Sequence, residues 1–121
     1  MPNTTTFERG DVVLVGFIFS DESGAKRRPA LIVSSSQYQV GRREVIVAAI
    51  TSNTRRRLFG DHAVREWRRA GLLFPSLVTG ILRTVKRGML QRRLGRLDAT
   101  ELAGVDTRLR RSLALDSRRS G

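Results

Sequence analysis

Apolar residues in this chain fall into short runs separated by polar, basic or glycine-containing stretches. Val12-Val13-Leu14-Val15-Gly16-Phe17-Ile18-Phe19 follows the turn signal Gly10-Asp11 and reads as a strand buried on both faces. Gly16 inside it indicates a bulge or a close backbone approach. Ala30-Leu31-Ile32-Val33 and Val45-Ile46-Val47-Ala48-Ala49-Ile50-Thr51 predict two further strands, rich in β-branched side chains. Polar stretches at 20–27 and 37–44 read as connections. A basic loop, Asn53-Thr54-Arg55-Arg56-Arg57, precedes a weaker strand expected over 58–64. Residues 65–70 fit one helical turn stopped by Gly71 as a C-cap, Pro75 interrupts the chain, and another strand is expected over 82–90. The clearest helix begins at Asp98, where Glu101 completes a capping-box spacing, and Leu102, Val105, Leu109 and Leu113 form one apolar stripe. Residues 1–8 read as a flexible lead-in, 9–115 as a single domain without repeats, and 116–121 as a disordered tail. Several short strands and one docked helix predict a mainly β fold with a C-terminal α-helix, either a compact barrel or a strongly curled sheet.

Composition narrows the function. The 121 residues contain no cysteine and one histidine, His62, so disulfides and thiolate metal sites are excluded and a histidine-pair mechanism lacks its second member. His62, next to Gly60-Asp61, reads as an ordinary surface residue. No apolar run approaches the ~20 residues of a membrane span, and the polar N-terminus lacks a secretion signal, so a cytoplasmic protein is expected. Lys and Arg total 23 against 11 Asp and Glu, a formal net charge of +12. Such an excess favours a polyanionic partner, either nucleic acid or an acidic protein.

Chemistry concentrates around Arg27-Arg28-Pro29. Proline fixes its own φ, lacks an N–H and favours a strand's first position or edge, so Arg28 is expected where a loop enters a strand. Arg28, Thr51, Ser52, Arg83 and Thr84 form a set of guanidinium and hydroxyl groups expected at strand ends. Guanidinium groups can grip a phosphodiester and stabilise its extra charge during transfer, while hydroxyls donate to its oxygens. RNA brings its own nucleophile in the 2′-OH, so such a site needs neither metal nor cysteine. The same five residues also fit plain solvated strand ends. Trp67 fits a core or interface position better than a base-stacking one.

The ordered series Arg9-Gly10-Asp11-Val12-Val13-Leu14-Val15, Arg27-Arg28-Pro29-Ala30-Leu31-Ile32-Val33, Ile46-Val47-Ala48-Ala49-Ile50-Thr51-Ser52, Leu82-Arg83-Thr84-Val85 and Arg93-Leu94-Gly95-Arg96-Leu97 resembles the MazF/PemK toxin family. The resemblance implies a small SH3-like β-barrel, homodimeric, belonging to a toxin–antitoxin system. It implies a metal-independent endoribonuclease without cofactors, cutting single-stranded mRNA at short motifs to leave a 2′,3′-cyclic phosphate and a 5′-hydroxyl. A cognate acidic antitoxin would neutralise it. Carried over by position, Arg28 and Thr51 are the catalytic residues and Glu22, in the loop over the site, the candidate proton acceptor. Lys26, Arg27, Ser52, Asn53, Arg55, Arg56, Arg83 and Thr84 are the expected RNA contacts. The chain departs from the pattern at Val78-Thr79-Gly80-Ile81, where some members carry an Arg and an Asp, and at Lys86, where many have Asp. Two alternatives keep the same fold: a CcdB-like gyrase poison and a non-catalytic RNA-binding module.

Overall fold

The structure, a computed structural model, describes residues 6–18 and 25–115. The candidate Glu22 and the tail 116–121 lie outside them. Its elements run β1 (Asp11–Ile18), β2 (Ala25–Ile32), α1 (Ser36–Arg42), β3 (Glu44–Thr51), β4 (His62–Ala63), β5 (Leu77–Lys86), a single 3-10 turn (Arg87–Met89), β6 (Leu90–Arg96) and α2 (Ala99–Ser112). The strands form one antiparallel sheet in the order β4-β5-β3-β2-β1-β6. The fold class is as expected, mainly β with a C-terminal helix. The sheet stays open, because its outer strands β4 and β6 do not pair.

Alternation along the central strands divides the core in two. Val13, Val15, Ala30, Ile32, Val45 and Val47 pack on one face with Phe7, Val85 and Leu90. Val12, Leu31, Ala48 and Ile50 pack on the other with Val64, Ala70, Leu72, Val78, Leu97 and Val105 of α2. Phe7 departs from the expected flexible lead-in: it is buried, and Gln39 Nε2 donates to its carbonyl at 2.8 Å.

Polar chemistry explains the other departures. The connection expected at 37–44 contains α1, which buries none of its side chains and so carries no apolar stripe. Ser35 caps its first turn by accepting from Tyr38 N, and Arg43 ends it in the left-handed region. The strand expected over 58–64 shrinks to two residues. Asp61 Oδ2 accepts from Leu58 N while Asp61 N donates to Leu58 O, which closes a turn there instead. The strand expected over 82–90 is split by the 3-10 turn into the end of β5 and the start of β6.

The helical turn at 65–71 forms as expected. Gly71 has φ +84, Gly71 N donates to Arg68 O, and Leu72 N donates to Trp67 O, the paired bonds of a Schellman ending. This turn also bridges the open side of the sheet. A Cβ on Gly71 would overlap the Leu94 carbonyl of β6, and one on Gly95 would overlap the Ala70 carbonyl, so the two backbones meet where only glycine fits.

Helix α2 docks through a buried acid. Asp98 Oδ1 accepts from Glu101 N as the N-cap, but the Glu101 side chain does not fold back to close a capping box. Its Oε1 instead accepts from Arg65 N at 2.9 Å and its Oε2 from Glu66 N at 2.9 Å. The remaining partner is His62, 2.8 Å away through Nε2. His62 is therefore buried, at 8% exposure, rather than a surface residue. Because a carboxylate only accepts, Nε2 carries the proton. Burial pushes the Glu101 carboxyl up, but the two backbone N–H groups and His62 outweigh it and hold the group below its usual 4.5.

Candidate active site

Pro29 creates the opening. β2 pairs with β1 from Ala25 to Leu31 but with β3 only over Ala30–Ile32, so residues 25–29 of β2 present an unpaired edge toward β3. A residue without an N–H belongs on such an edge. Arg28 is thus inside β2, opposite Val15, not at a loop-to-strand junction as expected. The β2–β3 pairing ends at Ala30↔Ala49, and Arg28 of β2 and Thr51, the last residue of β3, line the space beyond it. The gap between these strand ends is a cavity of about 630 Å³.

A cross-strand row lines that cavity. Leu14 of β1 pairs with Pro29 on one side and with Arg92 of β6 on the other, and all three face it. Arg27, Arg28, Thr51 and Ser52 line it as well, together with Leu72, Leu73, Phe74 and Ser76. None of the ion pairs among the described residues engages Arg27, Arg28 or Arg92. Among the described residues the lining contains three guanidinium groups and no carboxylate or imidazole. The arginines of the Arg93-to-Arg96 motif are used differently: Asp11, fully buried, binds Arg93 Nη2 at 2.9 Å and Arg96 Nη1 at 2.5 Å. Arg9 likewise pairs with Asp106 and donates through Nε to Val33 O.

Thr51 is held by a bulge. The β3–β5 register shifts between Ala48 and Ile50, and Thr79 Oγ1 donates to the carbonyl of Ala49 there at 2.8 Å. Such a bulge re-aims the residues that follow it. Thr51 Oγ1 accepts from Asn53 N at 3.1 Å and keeps its own proton for donation, while Asn53 Oδ1 accepts from Arg55 N. Asn53 and Arg56 line an adjoining hollow of about 460 Å³ that shares Ala49 and Thr51 with the cavity.

Of the expected site residues, Arg27, Arg28, Thr51 and Ser52 come together, with Asn53 and Arg56 next to them. Lys26 and Arg55 are exposed nearby in sequence but belong to neither lining. Arg83 and Thr84 lie inside β5, opposite Val47 and Ile46, rather than at a strand end, and line neither space. Trp67 packs against the core beside α2, and the Arg68 guanidinium covers its ring at 4.5 Å. Arg92, Leu73 and Phe74 were not among the sequence candidates. The run Leu72-Leu73-Phe74 between Gly71 and Pro75, too short for a strand, was the available signal. Among the described residues no cluster of three His, Cys, Asp or Glu gathers to hold a metal ion, and no helix is long and apolar enough to cross a membrane.

The architecture has known counterparts. An endoribonuclease in complex with its cognate antitoxin from a mycobacterial species is similar at 22% identity and a TM-score of 0.73, covering 93% of this chain and 100% of that one. The MazE–MazF complex of Deinococcus radiodurans matches at 19% identity and a TM-score of 0.78, covering 93% of this chain and 100% of its counterpart. The Mycobacterium tuberculosis toxin MazF-mt6 shares 25% identity at a TM-score of 0.69, over 88% of this chain and 99% of that chain. No match was found among curated proteins. A family model described as "PemK-like, MazF-like toxin of type II toxin-antitoxin system" matches residues 8–113. The chain accordingly belongs to the PemK-like, MazF-like toxins of type II toxin–antitoxin systems.

Proposed function

We propose that this protein is an endoribonuclease that cuts single-stranded RNA without a metal ion. The observation that carries the reading is the cavity uniting Arg28 and Thr51 with Arg27, Ser52 and Arg92. A phosphodiester seated there meets two kinds of donor. Arg28 offers a planar fork to the non-bridging oxygens and opposes the extra negative charge of the pentavalent phosphorane. Thr51 Oγ1–H donates to one of those oxygens and orients the phosphorus for in-line attack.

The RNA 2′-oxygen attacks phosphorus, the P–O5′ bond breaks, and the products are a 2′,3′-cyclic phosphate and a 5′-hydroxyl. One proton leaves the 2′-OH and one arrives at the departing O5′. Arg28 hydrogen-bonds the departing O5′ and steadies its charge, and solvent water supplies the second proton, because a guanidinium keeps its own proton in proteins and so neither gives nor takes one. Glu22 is the proposed acceptor.

An acidic antitoxin segment is the proposed inhibitor, since it would satisfy the same cations, and the cytoplasm the proposed place of action. A homodimer is the proposed assembly. The decisive experiment incubates the purified protein in EDTA with an RNA pool and with oligonucleotides carrying a 2′-deoxy sugar at the cut position. Cleavage of the ribose substrate alone, ending in a cyclic phosphate, supports the reading. Intact RNA, cleavage of the deoxy substrate, or cleavage abolished by EDTA and restored by added metal overturns it.

A further inference from the structure

The segment Leu72-Leu73-Phe74-Pro75-Ser76, which lines the cavity through all but Pro75, holds apolar side chains out in water. Leu73 is 82% exposed and Phe74 61%, whereas Leu72 at 7% and Ser76 at 5% are buried on either side. The segment is pinned rather than loose. Gly71 ends the preceding turn against the β6 backbone, Val64 N donates to Ser76 O, and Ser76 Oγ donates to Phe74 O at 2.7 Å. Pro75 fixes its own φ between them. A rigid frame that keeps two large apolar groups in solvent marks a surface built to meet something.

The position of this pair identifies its complement. Leu73 and Phe74 line the cavity that holds Arg27, Arg28 and Arg92 together with the hydroxyls of Thr51 and Ser52. Among the described aromatic side chains, Phe74 alone lines it: Phe59 faces other hollows, Phe7 is buried, Tyr38 lies under the Arg42 guanidinium, and Trp67 is covered by Arg68. A ligand that satisfies the whole lining carries both negative charge and a flat apolar face. A nucleotide does so, its phosphate on the cations and its base against the ring.

We infer that Phe74, supported by Leu73, is the stacking platform for a base flanking the scissile phosphate, and that the segment 72–76 is a specificity-determining element of the site. The inference rests on the endoribonuclease reading above. It makes Phe74 a substrate-positioning residue: the ring fixes the register of the strand, and the guanidinium and hydroxyl act on the phosphorus.

A double-mutant cycle between protein and RNA tests it. Binding is measured by fluorescence anisotropy with wild type, Phe74→Ala and Phe74→Trp, on RNA blocked by a 2′-deoxy sugar at the cut position. Each flanking nucleotide in turn is replaced by an abasic one. For one flanking position the abasic change is expected to weaken wild-type binding about 10–100-fold and to leave Phe74→Ala binding nearly unaffected. Phe74→Trp retains the stacking, and in cleavage assays the Phe74→Ala loss falls on KM more than on kcat. Unchanged thermal melting of the variants, expected for so exposed a side chain, shows that the fold is intact. Equal abasic penalties in wild type and Phe74→Ala at every flanking position overturn the inference. So does a variant that binds RNA like wild type but fails to bind an acidic antitoxin peptide, since the segment would then be a protein-docking surface. If wild type cleaves no RNA, the endoribonuclease reading fails instead, and the binding cycle still decides the platform.

Discussion

Arg28 extends from β2 into water and takes part in none of the ion pairs among the described residues, so its removal should be felt by substrate and hardly by the fold. Arg28→Ala is expected to lower kcat about 10²–10³-fold, the usual loss when one stabilising donor leaves a site where charge develops. Stability in urea should shift by no more than about 0.5 kcal/mol. Arg28→Lys should recover only part of the rate, because an ammonium cannot bind two oxygens in parallel. Thr51→Ser should keep most activity and Thr51→Val little. Single-turnover rates on one defined RNA check all three, and a fully active Arg28→Ala would remove the guanidinium from the mechanism. Both residues were legible as candidates, since Pro29 announces a strand's first position or edge and Thr51 closes an unbroken apolar run, but their catalytic roles are implied only by the family resemblance. Arg92 and Phe74 were not legible. Whether they reach the cavity depends on register shifts between β1 and β6 and on a loop pinned by distant hydrogen bonds, and neither leaves a local trace.

At the scale of elements, the docking of α2 depends on a buried carboxylate. Glu101 accepts two backbone N–H groups and faces His62, a partner 39 residues away that no local spacing reveals. Glu101→Gln offers one acceptor oxygen where three donors converge and turns an amide N–H toward one of them. It should cost about 2–4 kcal/mol, read as a lower urea midpoint at an unchanged slope. The pH dependence has a definite sign. The folded-state pKa lies below the usual 4.5, so the stabilisation is present above that value and is lost as pH falls through the lower folded value. Acid unfolding of wild type should therefore steepen below about pH 4.5, and Glu101→Gln should flatten it. Identical acid profiles would deny the carboxylate this role. The contact between the 65–71 turn and β6 gives a second measurement. Gly71→Ala meets both a positive φ and an overlapping carbonyl, and should cost more than about 3 kcal/mol, whereas Gly88→Ala has open space around it and should be nearly neutral. Strands in apolar runs and the capped helix could be read from the sequence. Helix α1 could not, because it buries nothing and its capping carries the whole signal.

For the whole molecule, two surface properties pull against each other. A net charge of +12 drives copies apart and draws polyanions in. Yet Leu58, Phe59, Ile81, Leu113 and Leu115 are all more than half exposed, and three of them line or flank the hollow beside Ser112 at the end of α2. Strand β5 adds an open edge there, since β4 pairs only with its Leu77 and Val78. An apolar surface next to an unpaired strand edge calls for a covering partner, and a second copy of the chain is the occupant consistent with the proposed homodimer. Because that hollow shares Ala49 and Thr51 with the arginine-lined cavity, the partner would stand beside the candidate site. The two associations then respond to salt with opposite signs. Raising salt screens the repulsion between like-charged copies and tightens the dimer, while it weakens RNA binding by restoring counterions to the phosphates. Ile81→Asp places a carboxylate in the apolar face without disturbing the core. It is expected to weaken dimerisation at least ~10-fold in light scattering, a loss of about 1.4 kcal/mol or more. Wild type that stays monomeric at high salt and millimolar concentration, or an Ile81→Asp variant that dimerises equally well, would show that this face meets something other than its own copy.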